Sequence, residues 1–214
     1  MQAVLDNLGV FGEGFLRTLS LTVISAVLAL LLGTLLAAMR VSPAPPLRGA
    51  GAAYVEVVRN TPLTIVFFFA VFVLPQLDVG LSFFAFAVLA LSVYHAAFFC
   101  EALRSGINAV GIGQAEAARS IGLTFTQTLR HVVLPQAFRT VVPPLINVLI
   151  ALTKNTSIAS AFAVAELVAV GTRLSNDTGR PLQVLFGVAL CYLVITIPAG
   201  LLAGRVEQRV AVAR

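Results

Sequence analysis

A chain of 214 residues that is 59% hydrophobic and only 11% charged is too apolar for an ordinary soluble domain, which carries roughly a quarter charged residues. Scarce polar sequence excludes a disordered chain, and two cysteines exclude a disulfide-stapled secreted domain. The net charge of +5 arises from 14 basic residues, 13 of them arginine, against 9 acidic ones; in so apolar a chain it marks the loops that face the cytoplasm rather than a nucleic-acid footprint.

Uncharged runs place the helices, because a span needs about 20 apolar residues. The first 17 residues carry Asp6, Glu13 and Arg17 where a cleaved leader would be basic, so they are expected to stay with the chain. Thr18–Met39 is an uncharged run of 22 residues and sets a first span at about 16–40. Asn60–Leu77 has 18 residues, so the second span, about 53–77, is expected to begin near Ala52. Glu56 and Arg59 then stand in its first turns, one turn apart and able to pair, and Pro62 removes one backbone bond.

Val79–Cys100, 22 residues, sets the third span at about 79–103. Tyr94 and His95 on it read as hydrogen-bonding partners between helices, His95 as the neutral imidazole. Thr140–Ala165, 26 residues broken only by Lys154, sets the fourth at about 137–166. Pro181–Gly204, 24 residues, sets the fifth at about 181–205. Its Gly200-Leu-Leu-Ala-Gly204 pattern suits a close helix crossing. Cys100 and Cys191 read as small buried apolar residues, and Phe67–Phe69, Phe83-Phe84 and Phe98-Phe99 as lipid-facing or packing surface.

These runs imply an all-α integral membrane protein of five transmembrane helices in a single domain over 1–214. With the N-terminus outside and the C-terminus in the cytoplasm, Arg40, Arg48, Arg104, Arg119, Arg130, Arg139, Arg205, Arg209 and Arg214 lie inside. Only Arg17, Arg173 and Arg180 lie outside, the orientation that the positive-inside rule favours. The single lysine, Lys154, sits in Leu-Thr-Lys-Asn, so no G-x-x-x-x-G-K-[ST] phosphate loop exists; neither H-E-x-x-H nor G-x-S-x-G occurs. The chain is therefore expected to be no enzyme, with any nucleotide chemistry supplied by another subunit.

The long cytoplasmic connection, about 104–136, is rich in helix formers. Gln114-Ala-Glu-Ala-Ala-Arg119 reads as a short helix, Gly122 permits a sharp turn, and Leu123–Val133 reads as a second amphipathic piece. Leu134-Pro135 is expected to end that piece so that the fourth span starts afresh. Such a helix–turn–helix can project as a knuckle, with Ala117 and Ala118 shallow enough to enter a groove and Glu116 offering a charge to a partner's donors.

Glu116-Ala117-Ala118, three residues, Gly122, nine residues, Val132, one residue and Leu134-Pro135 resemble the EAA loop of ABC importer permeases, with valine where isoleucine is usual. Arg40-Val-Ser-Pro43, Val58-Arg-Asn-Thr-Pro-Leu63, Glu101-Ala-Leu-Arg-Ser-Gly-Ile-Asn108 and Leu152-Thr-Lys-Asn-Thr-Ser-Ile-Ala-Ser160 extend the resemblance to the polar amino acid subfamily (glutamate, glutamine and histidine types). Within it the chain looks most like the glutamate-uptake permeases of actinobacteria, over roughly Leu16 to Arg209. The resemblance implies a type I importer fold and a bacterial inner-membrane location. It implies that Glu116, Ala117, Ala118 and Gly122 dock in a cytoplasmic ATPase, with Leu134 and Pro135 joining them to span four. It further implies a second permease subunit, the same or related; two ATPase subunits that bind ATP and Mg, this chain binding no cofactor of its own; and an extracytoplasmic binding protein.

Ionisable groups inside a membrane are costly and are functional candidates by default. An amino acid needs partners for its carboxylate and its ammonium group: Arg59 or Lys154 for the first, Glu166 for the second, with Asn60, Thr61, Asn155, Thr156 and Ser157 adding neutral hydrogen bonds. In one continuous helix Lys154 and Glu166 would stand about 18 Å apart on different faces, so they are no simple ion pair. A break near Asn155–Ser160 would instead open backbone groups to a cavity. The plainer alternatives are Lys154 capping carbonyls, Arg59–Glu56 as a structural pair and Glu166 as the start of an outer loop. Two other classes of function compete with the importer permease: a self-sufficient secondary transporter or channel, and a scaffold that recruits a partner without transporting.

Overall fold

Why a proline breaks one span of this chain and not another is visible in the computed structural model, which describes residues 2–211, except for the side chains of Gln2, Ile107, Arg209 and Val210. Arg214, one of the arginines assigned to the inner side, lies outside the described residues. Among them every regular element is helical. The turn α1 (Gln2–Leu5) precedes α2 (Leu8–Val41) and α3 (Pro45–Asn60). Then α4 (Leu63–Phe68) runs through a π turn, Phe69–Val73, into a 3-10 turn, Leu74–Leu77. After α5 (Phe83–Asn108) and α6 (Ile112–Ser120) comes α7 (Phe125–Thr128), which passes through a second π turn, Leu129–Val133, into α8 (Leu134–Asn155). A 3-10 stretch, Thr156–Phe162, leads to α9 (Leu167–Thr178) and α10 (Pro181–Ala211).

Four helices are long and apolar enough to cross a membrane, five if the bent pair of α3 with α4 to Leu77 counts as one. The first, third and fifth lie where the uncharged runs put them, α2 starting earlier, at Leu8. The second differs: α3 and the segment from Leu63 meet at 104°, so no continuous helix runs from Ala52. Pro62 cannot donate a helix bond and holds the residue before it extended, and Thr61 is indeed at φ −96, ψ 132. The side chains of Asn60 and Thr61 close the end of α3, donating to the carbonyls of Glu56 (2.8 Å) and Val57 (2.8 Å).

The fourth span differs in the opposite sense. Pro135 does not restart the helix: one helix runs from Phe125 to Phe162. The π turn just before Leu134-Pro135 absorbs the missing N–H. The 3-10 stretch then loosens the helix at the expected place, and Ala163 (φ 59) ends it, so Glu166 belongs to the next element.

At the centre, α5 packs against α2 on one side and α8 on the other. A Cβ on Gly106 would overlap the Val141 side chain, so glycine is what permits the α5–α8 crossing; there Thr140 donates to the Gly106 carbonyl at 2.8 Å. The close crossing expected at Gly200 and Gly204 is absent: Gly204 has no neighbour within 4 Å, and Gly200 touches one only at that limit. Leu21, Phe67, Leu91 and Phe162 anchor one apolar cluster, and Leu36, Val55, Ala97 and Cys100 another. In contrast, α8 and α10 leave most of their apolar surface uncovered.

Candidate functional site

At the α6 end of the molecule a helical knuckle stands clear of the bundle. In α6, Glu116 and Ala117 are exposed while Ala118 is buried against the body of the protein. The chain reverses at Gly122 with φ 91, a left-handed conformation that costs other residues about 1 kcal/mol or more. There the Gly122 and Leu123 N–H groups close α6 on the carbonyls of Arg119 and Ala118. Thr124 starts the next helix through a reciprocal capping box with Gln127. Ile112, Ile121 and Phe125 are 77%, 80% and 70% exposed around this turn, an apolar face without a partner. Leu134 and Pro135, both exposed, continue directly into α8.

A second feature lies between α5 and α8. His95 Nδ1 is 2.9 Å from the Leu91 carbonyl, which only accepts, so Nδ1 carries the proton. Nε2 then accepts from the Asn155 amide at 3.1 Å, leaving a neutral imidazole as expected. Both side chains border a cavity of ≈ 340 Å³ with Tyr94, Phe98, Asn147 and Ala151. The Arg59 guanidinium stands 5.6 Å from the Phe98 ring centroid, within cation–π range. Lys154 is exposed beside this cavity's edge residue Asn155, on the uncovered side of α8.

The remaining candidates are spent elsewhere. Thr156 is fully buried and donates to the Thr153 carbonyl, and Ser157 donates to that of Lys154, both at 2.7 Å. Glu166 is fully buried as the N-cap of α9: Oε1 accepts from the Ala169 N–H at 2.9 Å, and Oε2 from the Tyr192 hydroxyl at 3.0 Å and the Thr18 hydroxyl at 3.4 Å. It touches neither Lys154 nor the α5–α8 cavity.

Arg59 pairs not with Glu56 but with Glu101, at 3.8 Å; Glu56 accepts from Asn60 instead, at 3.1 Å. Glu101 is the hub that sequence reasoning missed: Arg40 binds it directly and Arg104 reaches it at 3.4 Å. Of this hub, only the Glu101-x-x-Arg104 spacing was visible, since α2 and α3 deliver the other two arginines. Tyr94 and His95 stand out in the sequence as polar residues within a span, but their cavity arises only where α8 crosses α5. The Thr124–Gln127 capping box was visible outright as T-x-x-Q.

Membrane helices, an uncovered polar cavity between two of them and an exposed apolar knuckle at one end define a membrane transport subunit that works against a partner. The chain belongs to the family of binding-protein-dependent transport system inner membrane components, the permease subunits of ABC importers, whose pattern it matches over residues 29–212. It is 44% identical over 212 residues to the glutamate transport system permease protein GluC of Corynebacterium efficiens, covering 92% of each chain. It is 40% identical over 204 residues to the probable glutamine ABC transporter permease protein GlnM of Bacillus subtilis, covering 95% of this chain and 94% of the other. Among solved structures, an amino acid ABC transporter crystallised with histidines superposes with a TM-score of 0.90 at 31% identity over 97% of both chains. The protein is thus an inner-membrane permease of an ABC importer.

Proposed function

We propose that this permease carries a polar amino acid, with L-glutamate the first choice, and forms half of an ATP-driven translocation pathway. The similarity to glutamate and glutamine permeases supports the substrate class. The observation that carries the coupling is the exposed turn Ile112–Phe125, with Glu116, Ala117, Ala118 and Gly122 at its tip and a continuous helix running from it through Leu134 and Pro135 to Asn155. A push at the knuckle is delivered along that helix to Lys154 and Asn155. In this reading two permease subunits, the same or related, pair through the uncovered faces of α8 and α10 within the lipid. Two cytoplasmic ATPases bind ATP and Mg and take the knuckles, and an extracytoplasmic binding protein delivers substrate. The N-terminus lies outside and the C-terminus inside. The α5–α8 cavity with His95, Asn155 and Tyr94 is the place for substrate in the pathway, with Arg59 and Lys154 supplying positive charge at its margins. Asn60, Thr61, Thr156 and Ser157 shape the helix ends around it, and Glu166 fixes the outer end of the bundle.

Reconstitution in proteoliposomes tests this. Uptake of L-glutamate is expected only with the ATPase, the binding protein and ATP. Gradient-driven flux through the lone subunit would establish a secondary transporter or channel, and ATPase binding without flux a scaffold. Within the complex, Gly122→Val is expected to leave membrane insertion and subunit assembly intact while uptake per ATP hydrolysed falls at least about tenfold, since a β-branched residue resists positive φ. Normal coupling in that variant would remove the knuckle from the mechanism.

A further inference from the structure

At the end of the bundle opposite the knuckle, a cavity of ≈ 460 Å³ lies between α2, the end of the 3-10 stretch and α9. Its small lining residues, Ala163, Ala165 and Ala169 among them, leave room, and its charged ones are Glu13 and Arg17 from α2 and Arg173 from α9. Gly14 brings the two helices together at its base: a Cβ there would lie 3.1 Å from the Leu167 Cα. Ala163, at φ 59, holds a left-handed conformation in the wall, the kind of local strain that concentrates where a site is shaped.

The charges are uncommitted. Glu13 and Arg17 stand one helical turn apart yet form no ion pair among the described residues. Arg173 reaches only Asp177, at 3.8 Å, in an exposed pair of the kind that contributes little. The N-terminus of α9, which would otherwise attract an anion, is already capped by Glu166. What remains facing the cavity is two guanidinium groups and one carboxylate. A dicarboxylic amino acid carries the complementary set: two carboxylates and one ammonium group.

We propose that this outer cavity is a loading subsite for an amino acid with two carboxylates. Arg17 and Arg173 take one carboxylate each and Glu13 the ammonium group, before the substrate passes along the 3-10 stretch to the α5–α8 cavity. The proposal rests on the importer reading and adds to it a second resting place, separated from the first by the seven-residue 3-10 stretch Thr156–Phe162. Short 3-10 insertions of this type commonly mark hinges, so the wall between the two places is the part of α8 best able to move.

The test uses the complete permease–ATPase complex in nanodiscs without binding protein, and counts L-[3H]glutamate bound at saturation. Wild type is expected to hold two equivalents per permease subunit, and Arg17→Gln/Arg173→Gln one. Each single variant is expected to weaken the outer equivalent about tenfold, the usual scale for one charge-assisted contact. Unlabelled L-glutamine, which lacks the second carboxylate, is expected to compete poorly there. Ala169→Phe, which fills the cavity and keeps every charge, is expected to lose the same equivalent and serves where the double variant fails to assemble. His95→Ala is expected to lose the other one. Unchanged stoichiometry and affinity in both Arg17→Gln/Arg173→Gln and Ala169→Phe would overturn the subsite, as would intact glutamate binding with a loss of binding-protein affinity, which makes the cleft a protein-docking face. If a single equivalent is bound and the arginine variants alone abolish it, the subsite stands and the α5–α8 reading falls.

Discussion

Two carboxylates anchor opposite ends of this bundle, and they are held by different physics. Glu101 sits among three arginines from three helices, about a quarter exposed at 24% of its side-chain surface. Glu166 is fully buried with no cation beside it among the described residues, and is satisfied by backbone and hydroxyl donors alone. Arginine side chains are long, and their pairing at a wet helix end tolerates small displacements, so the Glu101 hub can hold α2, α3 and α5 together while they shift. The Glu166 joint cannot: an N-cap and two hydroxyl bonds fix α9 against α2 and α10 within fractions of an ångström. The Leu167 N–H donating back to the Thr18 hydroxyl at 3.1 Å tightens it further. The contrast separates a rigid outer frame from a cytoplasmic end built to move.

The largest effect that can break this contrast comes from Glu166→Ala. It removes the α9 cap and strands the Tyr192 and Thr18 hydroxyls in a buried setting. Summing one cap and two charge-assisted hydrogen bonds gives a loss of about 4 kcal/mol, or on the order of 10 °C in Tm for a chain of this size. Thermal unfolding followed by size-exclusion chromatography in detergent reads it. A loss under about 1 kcal/mol would mean that the joint bears no structure.

Glu101→Gln is expected to be milder in stability and different in kind. With the charge gone, three guanidinium groups face one another around a neutral amide, at a cost of about 1–2 kcal/mol. Because the hub is reached by water and ions, that loss should shrink on going from about 0.05 M to 0.5 M salt, as the Debye length falls severalfold. The Glu166→Ala loss should not change with salt. Equal salt responses in the two variants would erase the distinction between them.

How much of this was legible in the sequence depends on where each feature gets its parts. The uncharged runs read out α2, α5 and α10 directly, because lipid demands apolar residues whatever they touch. The knuckle was legible because Gly122, the Thr124–Gln127 box and the proline at 135 act within a few residues of one another. The effect of proline was not: Val73-Leu74-Pro75-Gln76 and Val133-Leu134-Pro135-Gln136 share their pattern, and each comes after a π turn. In each the glutamine amide donates to the carbonyl four residues back, at 3.0 and 2.9 Å. Yet the first ends its helix at Asp78 (φ 61) and the second runs on for 22 residues. The residues C-terminal to the proline decide it: Asp-Val-Gly stops the first helix, and a long apolar run carries the second onward. Long-range groupings were the least legible: Thr18, Glu166 and Tyr192 are up to 174 positions apart in sequence, and no local pattern links them.

The smallest expected effect is the most discriminating one. Glu166→Gln keeps an acceptor oxygen for the Ala169 N–H and a second group beside Tyr192, and removes only the charge. If Glu166 were the ammonium partner of a transported amino acid, losing its charge would raise KM for uptake at least about tenfold, because a charge-assisted bond would become a neutral one. As the cap of a closed joint, with both oxygens already occupied, it has none to spare for substrate. The amide can mimic one acceptor, but its NH2 must face a hydroxyl, which then turns to accept. The expected outcome is a stability loss of about 1 kcal/mol, with KM and the glutamate-to-glutamine preference unchanged. A shifted KM at unchanged Tm would instead show that the outer end of the bundle opens far enough to present this carboxylate to substrate, and the rigid frame would have to be counted among the moving parts.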